Sequence, residues 1–291
     1  MGALPFPAFR FGEAMMEVAM RRWLFGLLSL TAAGLWTVAA PNAQQPATPG
    51  EEVDVALVLA VDVSYSMDLD ELALQRNGYI EAFRSKQLHD AIAKGAVGKI
   101  AVTYFEWAGG NFQHIVKPWT IIDTPQSAIA FAEELGEAQT RRGRRTSISG
   151  AIDLSVELLE KSNVAALRKV IDISGDGANN DGRPVTVARD EARDKGISIN
   201  GLPVMLKQAS YFDIDNLDVY YSECVITGVG AFVIPIRERH QFVDATRTKL
   251  VREIAELPAS SEATIQKAQS TSQQNASCMA GERQWRDRMG N

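Results

Sequence analysis

Val53 to Val61 is an almost unbroken apolar run, as expected of a strand buried on both faces of a sheet. The next stretch places Leu72, Tyr79, Ile80 and Phe83 near one face of a helix. Lys99 to Trp107 reads as a second strand, and the Gly109-Gly110 turn leads to a third run, Phe112 to Val116, close enough for a hairpin. Thr124-Pro125 opens a helix in the preferred N-cap and first-turn arrangement. Ser147 to Leu159 is another, with Ile148, Ile152 and Leu159 among its apolar positions. Lys169 to Ile173 is a short buried strand, Pro184 starts a helix, and Ile197 to Leu202 is a strand. Ala231 to Ile234 is the last strand, and residues 238–256 form a closing helix. This alternation predicts an α/β domain over 51–257: a doubly wound, Rossmann-like, mostly parallel sheet with helices on both faces and a short antiparallel edge hairpin.

The flanks differ from this body. Arg21 and Arg22 precede an uncharged apolar run from Trp23 to Ala40, and small residues continue to Ala43. That order predicts an N-terminal extension and signal peptide over 1–43, with Met20 an alternative start. An uncleaved anchor is the rival reading of the same run. Both place the remaining chain outside the cytoplasm, in the periplasm or secreted. Residues 44–50 read as a linker. Residues 258–291, rich in Ser and Gln and poor in large apolar residues, read as a mobile polar tail. The two cysteines, Cys224 and Cys278, fit either a bridge stapling that tail to the body or two free thiols.

Thirty basic residues against thirty-six acidic ones give a net charge of −6, which argues against a nucleic-acid binder. Two cysteines and three histidines exclude a four-cysteine zinc site, so a metal site here is built from oxygen. Three segments place oxygen donors at the carboxyl edge of the predicted sheet. The first strand ends in Asp62-Val63-Ser64-Tyr65-Ser66, whose alternation sends Asp62, Ser64 and Ser66 to one side. Thr146 sits just before the helix entered at Ser147, and Asp176-Gly177 follows the Lys169–Ile173 strand. Hydroxyls and carboxylates suit a hard cation. Asp172-x-Ser174-x-Asp176-Gly177 begins like a calcium loop, but Arg183 stands where its last ligand belongs.

The set Asp62-x-Ser64-x-Ser66, Thr146 and Asp176-Gly177 resembles the metal-ion-dependent adhesion site of the von Willebrand factor type A domain. Glu106-Trp107, Ser174 to Asn180, Ile199 to Leu202 and Gly230 to Val233 are similar to an uncharacterised bacterial secreted branch of that family. The resemblance implies that Ser64, Ser66 and Thr146 reach a divalent cation directly or through water, with Asp62 and Asp176 often acting through waters. Magnesium is the first expectation, with manganese or calcium as alternatives. It also implies that a partner's carboxylate completes the octahedron. Four arginines, Arg141, Arg142, Arg144 and Arg145, crowd the loop before Thr146, where they would steer an anionic partner or merely form a solvated basic loop. Trp107 is a candidate aromatic anchor on the binding face, and Trp119 a core residue.

The expected function is metal-dependent capture of an acidic group on another extracytoplasmic protein. A metal-assisted hydrolase such as a phosphoesterase and a structural envelope protein with a silent site are the alternatives. No general base is evident beside the site for the first of these.

Overall fold

A computed structural model describes residues 50–207, 214, 216–255 and 278–289. The leader and most of the linker lie outside these residues, as do 256–277. The chain forms β1 (Glu51–Asp62), α1 (Leu69–Arg84), α2 (Lys86–Ala93), β2 (Ile100–Trp107), β3 (Gln113–Ile122), α3 (Pro125–Glu137) and α4 (Ile148–Glu160). Then come β4 (Val164–Gly175), α5 (Val185–Asp194), β5 (Ile197–Pro203), the short α6 (Leu217–Tyr220), α7 (Phe242–Ala255) and α8 (Ala280–Met289). The sheet order is β3-β2-β1-β4-β5, parallel except for the β2–β3 pair. This is the doubly wound α/β fold with an antiparallel edge hairpin that the alternation predicts.

Alternate residues of β1 feed two cores. Ala56, Val58 and Ala60 pack toward α4 and α5, while Val55, Leu57 and Leu59 pack toward α1, α2, α3 and α7. A strand with both faces covered is apolar at almost every position, and the one charged residue in the run, Asp54, is satisfied by the Val97, Gly98 and Lys99 N–H groups. Helix starts follow local chemistry: Asp68 and Glu71 form a capping box for α1, and Ser147 Oγ accepts from the Gly150 N–H at the start of α4. Thr124 caps α3, with Pro125 in its first turn.

Three elements depart from expectation. β4 begins at Val164, not Lys169, because β5 joins it only from Lys169 onward. Its first residues pair with β1 alone and alternate in exposure, so they lack a buried strand's signature. β3 continues to Ile122 because backbone pairing with β2 persists along a half-exposed edge. Ala231 to Ile234 makes no full strand. Val233 and Ile236 form isolated parallel bridges to Gly201 and Val204, and Pro235 between them has no N–H to donate.

The closing helix brings a buried ionic cluster. Lys249 Nζ lies 2.7 Å from Asp172 Oδ1 on β4 and also contacts Glu253, and all three side chains have zero exposure. Asn200 Nδ2 donates to Glu253 Oε1 at 3.0 Å. No helix among the described residues is long and apolar enough to cross a membrane.

Residues 280–289, read from sequence as part of a polar tail, form α8. A Cys224–Cys278 disulfide, with 5.4 Å between Cα atoms, ties its start to the segment after α6.

Candidate metal site

β1 is flanked by β2 on one side and β4 on the other, so the chain reverses its winding between β1 and β4. Helices diverge there, leaving a crevice at the carboxyl ends of the two strands. Asp62 ends β1, and its Oδ1 accepts the Ser64 N–H at 2.7 Å. Ser64 Oγ and Ser66 Oγ lie 2.7 Å apart, and Ser66 Oγ donates to Asp176 Oδ1 at 2.6 Å. Asp176 follows the last residue of β4.

Thr146 arrives from the loop before α4. Its N–H donates to Asn180 Oδ1 at 2.9 Å, and the Asn180 N–H returns a bond to Thr146 O at 2.8 Å. Thr146 therefore faces the same cavity as Ser66 and Asp176. All five oxygen-bearing residues singled out in the sequence meet at this crevice.

Two carboxyl groups close together set the electrostatics of the crevice. Asp62 is fully buried, and burial followed by the nearby Asp176 charge holds its carboxyl well above the usual range, against hydrogen bonds from Ser64. Its Oδ2 is buried without a hydrogen-bond partner. An octahedral cation with bonds of about 2.1 Å sets neighbouring ligands about 3 Å apart, close to the hydroxyl and carboxylate spacings here. The donor set of three hydroxyls and two carboxylates fits a hard cation. Among the described residues no group of three or more His, Cys, Asp or Glu could hold a metal, so hydroxyls would have to complete any such site.

Gly175 protects this geometry. A Cβ there would stand 2.8 Å from Asp62 Oδ2 and 3.0 Å from the Tyr221 hydroxyl. Gly175→Ala should displace Asp62 and weaken any ion bound beside it. Divalent-ion titration of this variant against wild type reads the effect.

The arginine loop divides into two kinds. Arg142 donates to the carbonyls of Tyr65 at 3.1 Å and of Met67, and lies over the Tyr65 ring at 5.0 Å, pinning the loop after β1. Arg145, at a φ of 67°, pairs with Asp181 at 2.6 Å and lies 4.4 Å from the Trp285 ring. Arg141 and Arg144 are exposed. Trp107, expected as an anchor on the binding face, has zero exposure and packs in the core beside α4, because the last residue of β2 still points inward. Trp119 is half-buried against the same core, its Nε1 donating to Leu158 O at 3.2 Å.

Sequence reasoning missed three contributors. Asn179, with zero exposure, receives the Ser149 N–H at 2.9 Å and so docks α4 onto the loop after β4. Asp181 accepts from the Gly110 N–H at 2.9 Å as well as from Arg145. The exposed aromatic beside the site is Tyr65, at 56%. The Asn179-Asn180-Asp181 run was visible in the sequence, but the partners through which it holds Thr146, Ser149 and Gly110 lie 30 or more residues away.

Residues 52–258 match the family described as "Protein of unknown function (DUF1194)". The chain belongs to this family. Comparison with curated proteins gives no match. Among solved structures, this DUF1194 chain is similar to a von Willebrand factor type A protein from Catenulispora acidiphila, with 15% identity and a TM-score of 0.50 over 70% of this chain and 43% of that one. It is also similar to the pilus adhesin SpaC from Lactobacillus rhamnosus GG, with 11% identity and a TM-score of 0.51 over 70% of this chain and 32% of that one. The DUF1194 chain thus spans less than half the length of either structure. At such identity the likeness is one of fold, and the fold is that of the von Willebrand factor type A domain.

Proposed function

We propose that this domain is an extracytoplasmic protein-binding module of the adhesion type, which captures an acidic group of a partner through a divalent cation. The observation that carries the proposal is the chain of oxygens from Ser64 through Ser66 to Asp176, set beside a buried, unpartnered Asp62 Oδ2. Asp62, Ser64, Ser66, Thr146 and Asp176 would hold the ion, magnesium first and manganese or calcium next. Three of these ligands are neutral, and with the two carboxylates acting mainly through water a bound ion would keep residual positive character and draw in a carboxylate. Tyr65, Arg141 and Arg144 are exposed, and in this reading they would border the approach. The basic-apolar-small leader and the Cys224–Cys278 disulfide support a location outside the cytoplasm. That SpaC is a pilus adhesin accords with a binding role.

Calorimetry on chelator-treated protein should detect one divalent-ion site, lost in Ser66→Ala or Thr146→Ala. Unchanged binding in both variants rejects the assignment.

Arginine substitutions should separate steering from scaffolding. Arg141→Ser with Arg144→Ser should slow partner association a few-fold at low salt and have little effect at high salt. Arg142→Ser should instead loosen the loop that carries Ser64 and Ser66, seen as faster amide exchange at Tyr65 to Met67. Association kinetics at two salt concentrations and hydrogen exchange read the two outcomes.

A further inference from the structure

Helix α8 stands over the site just described. Ser66, Thr146 and Asp176 line a half-enclosed cavity of about 120 Å³, and Gly281, Gln284 and Trp285 of α8 line the same cavity. Four separate contacts hold α8 in place. The Cys224–Cys278 disulfide anchors the residues just before it, and both cysteines are buried. Gly281 meets the Asn179 carbonyl so closely that a Cβ there would lie 2.2 Å from the oxygen. Glu282 Oε1 accepts from Asn179 Nδ2 at 2.8 Å, and Trp285 lies against Arg145. Asn179 is the neighbour of Asn180, which pins Thr146, so α8 and a proposed ligand loop share one seat.

A helix that only brushed the surface would need neither a glycine at its backbone contact nor a buried bridge. Buried sulfurs are poorly accessible to thiolate attack, which makes the bridge a permanent staple and not a redox latch. The helix therefore acts as a fixed wall and not as a lid. Ile214 also lines the cavity, and among the described residues around the site Ser66 and Tyr65 are exposed.

Resting on the metal-dependent reading above, we infer that α8 restricts the site to an extended acidic segment. A single carboxylate would reach the ion between Tyr65 on one side and Gln284 and Trp285 on the other. The cavity of about 120 Å³ has room for a carboxylate with part of an ion's water shell, while α8 along one wall stands in the way of a broad folded surface. Trp285, held against Arg145, and Gln284 form the α8 side of this wall.

The test uses the oxidised protein and manganese, whose binding is first read by electron paramagnetic resonance. Two fluorescein-labelled probes follow: the linear peptide Gly-Ser-Glu-Ser-Gly, and the same residues cyclised head to tail into a compact ring. With manganese bound, the linear peptide should bind at least about tenfold more tightly than the ring. That preference should fall below about threefold in Gln284→Ala/Trp285→Ala, which keeps the disulfide, and in Cys224→Ser/Cys278→Ser, which removes the covalent anchor of α8. Equal binding of the two probes by wild type, or binding of neither with manganese present, overturns the inference and leaves the metal site standing. A tenfold preference that survives in both variants overturns it as well. If manganese does not bind to wild type, the metal reading fails and this inference falls with it.

Discussion

Replacing Lys249 by methionine should destabilise the domain by about 3–5 kcal/mol at neutral pH. Methionine matches the apolar stem of lysine, so little packing is lost and the electrostatic effect dominates. Asp172 and Glu253 both contact the Lys249 ammonium and have zero exposure. Without the ammonium, two carboxyls would share a space sealed from water, and each would need a proton to stay there. The cost should therefore shrink as the pH falls and the two carboxyls become neutral. Urea unfolding at pH 5 and pH 8 reads both effects. A loss below about 1 kcal/mol at pH 8 would mean that water reaches the cluster. Adding Asp172→Asn and Glu253→Gln to Lys249→Met should recover much of the loss, since a fully neutral cluster leaves no buried charge unpaired.

The second large effect is on pH dependence. Burial pushes Glu253 up to about 7, with the Lys249 charge opposing and the Asp172 charge adding to the rise. A carboxyl held above its unfolded value binds a proton more tightly in the native state than in the unfolded chain. Its stabilising contribution is complete below about pH 4.5 and is lost as the pH rises through about 7. For a shift of this size the full loss is on the order of 3 kcal/mol. Asp172, raised first by burial, acts in the same direction. In Glu253→Gln this part of the slope should vanish, so the stability difference between wild type and variant should move steadily from pH 5 to pH 8. A constant difference across that range would show that Glu253 does not titrate there. Subtracting the variant matters because Asp181, a depressed carboxyl, loses its own contribution toward acid pH in both proteins.

Short-range rules account for the parts of this fold that can be read along the chain. The apolar run of β1 specifies a strand covered on both faces, because each residue along it meets a core. Side chains two apart in an extended segment share a side, which brings Asp62 and Ser64 together; Ser66 lies in the turn that follows and meets Ser64 Oγ through that turn, not through strand alternation. Thr124-Pro125 and Ser147 marked helix starts because a cap acts on amides only two or three residues ahead. Order along the chain and right-handed parallel crossovers then carried Thr146 and Asp176 to the same edge of the sheet.

Tertiary structure alone decided the rest. Whether Trp107 faced a partner or the core depended on how α4 crosses β2, which no local pattern encodes. Lys249 and Glu253 resemble an exposed i,i+4 pair until β4 brings Asp172 against them from 77 residues away. Arg142 and Arg145 looked like a solvated basic loop, yet their partners are carbonyls after β1 and an aspartate after β4. α8 was the least legible element. It has few apolar residues, and a staple 54 residues long, one glycine and one aromatic hold it in place. Each of those contacts is specific, but none repeats with a helical period. Composition could therefore describe the tail as polar without saying where it would dock.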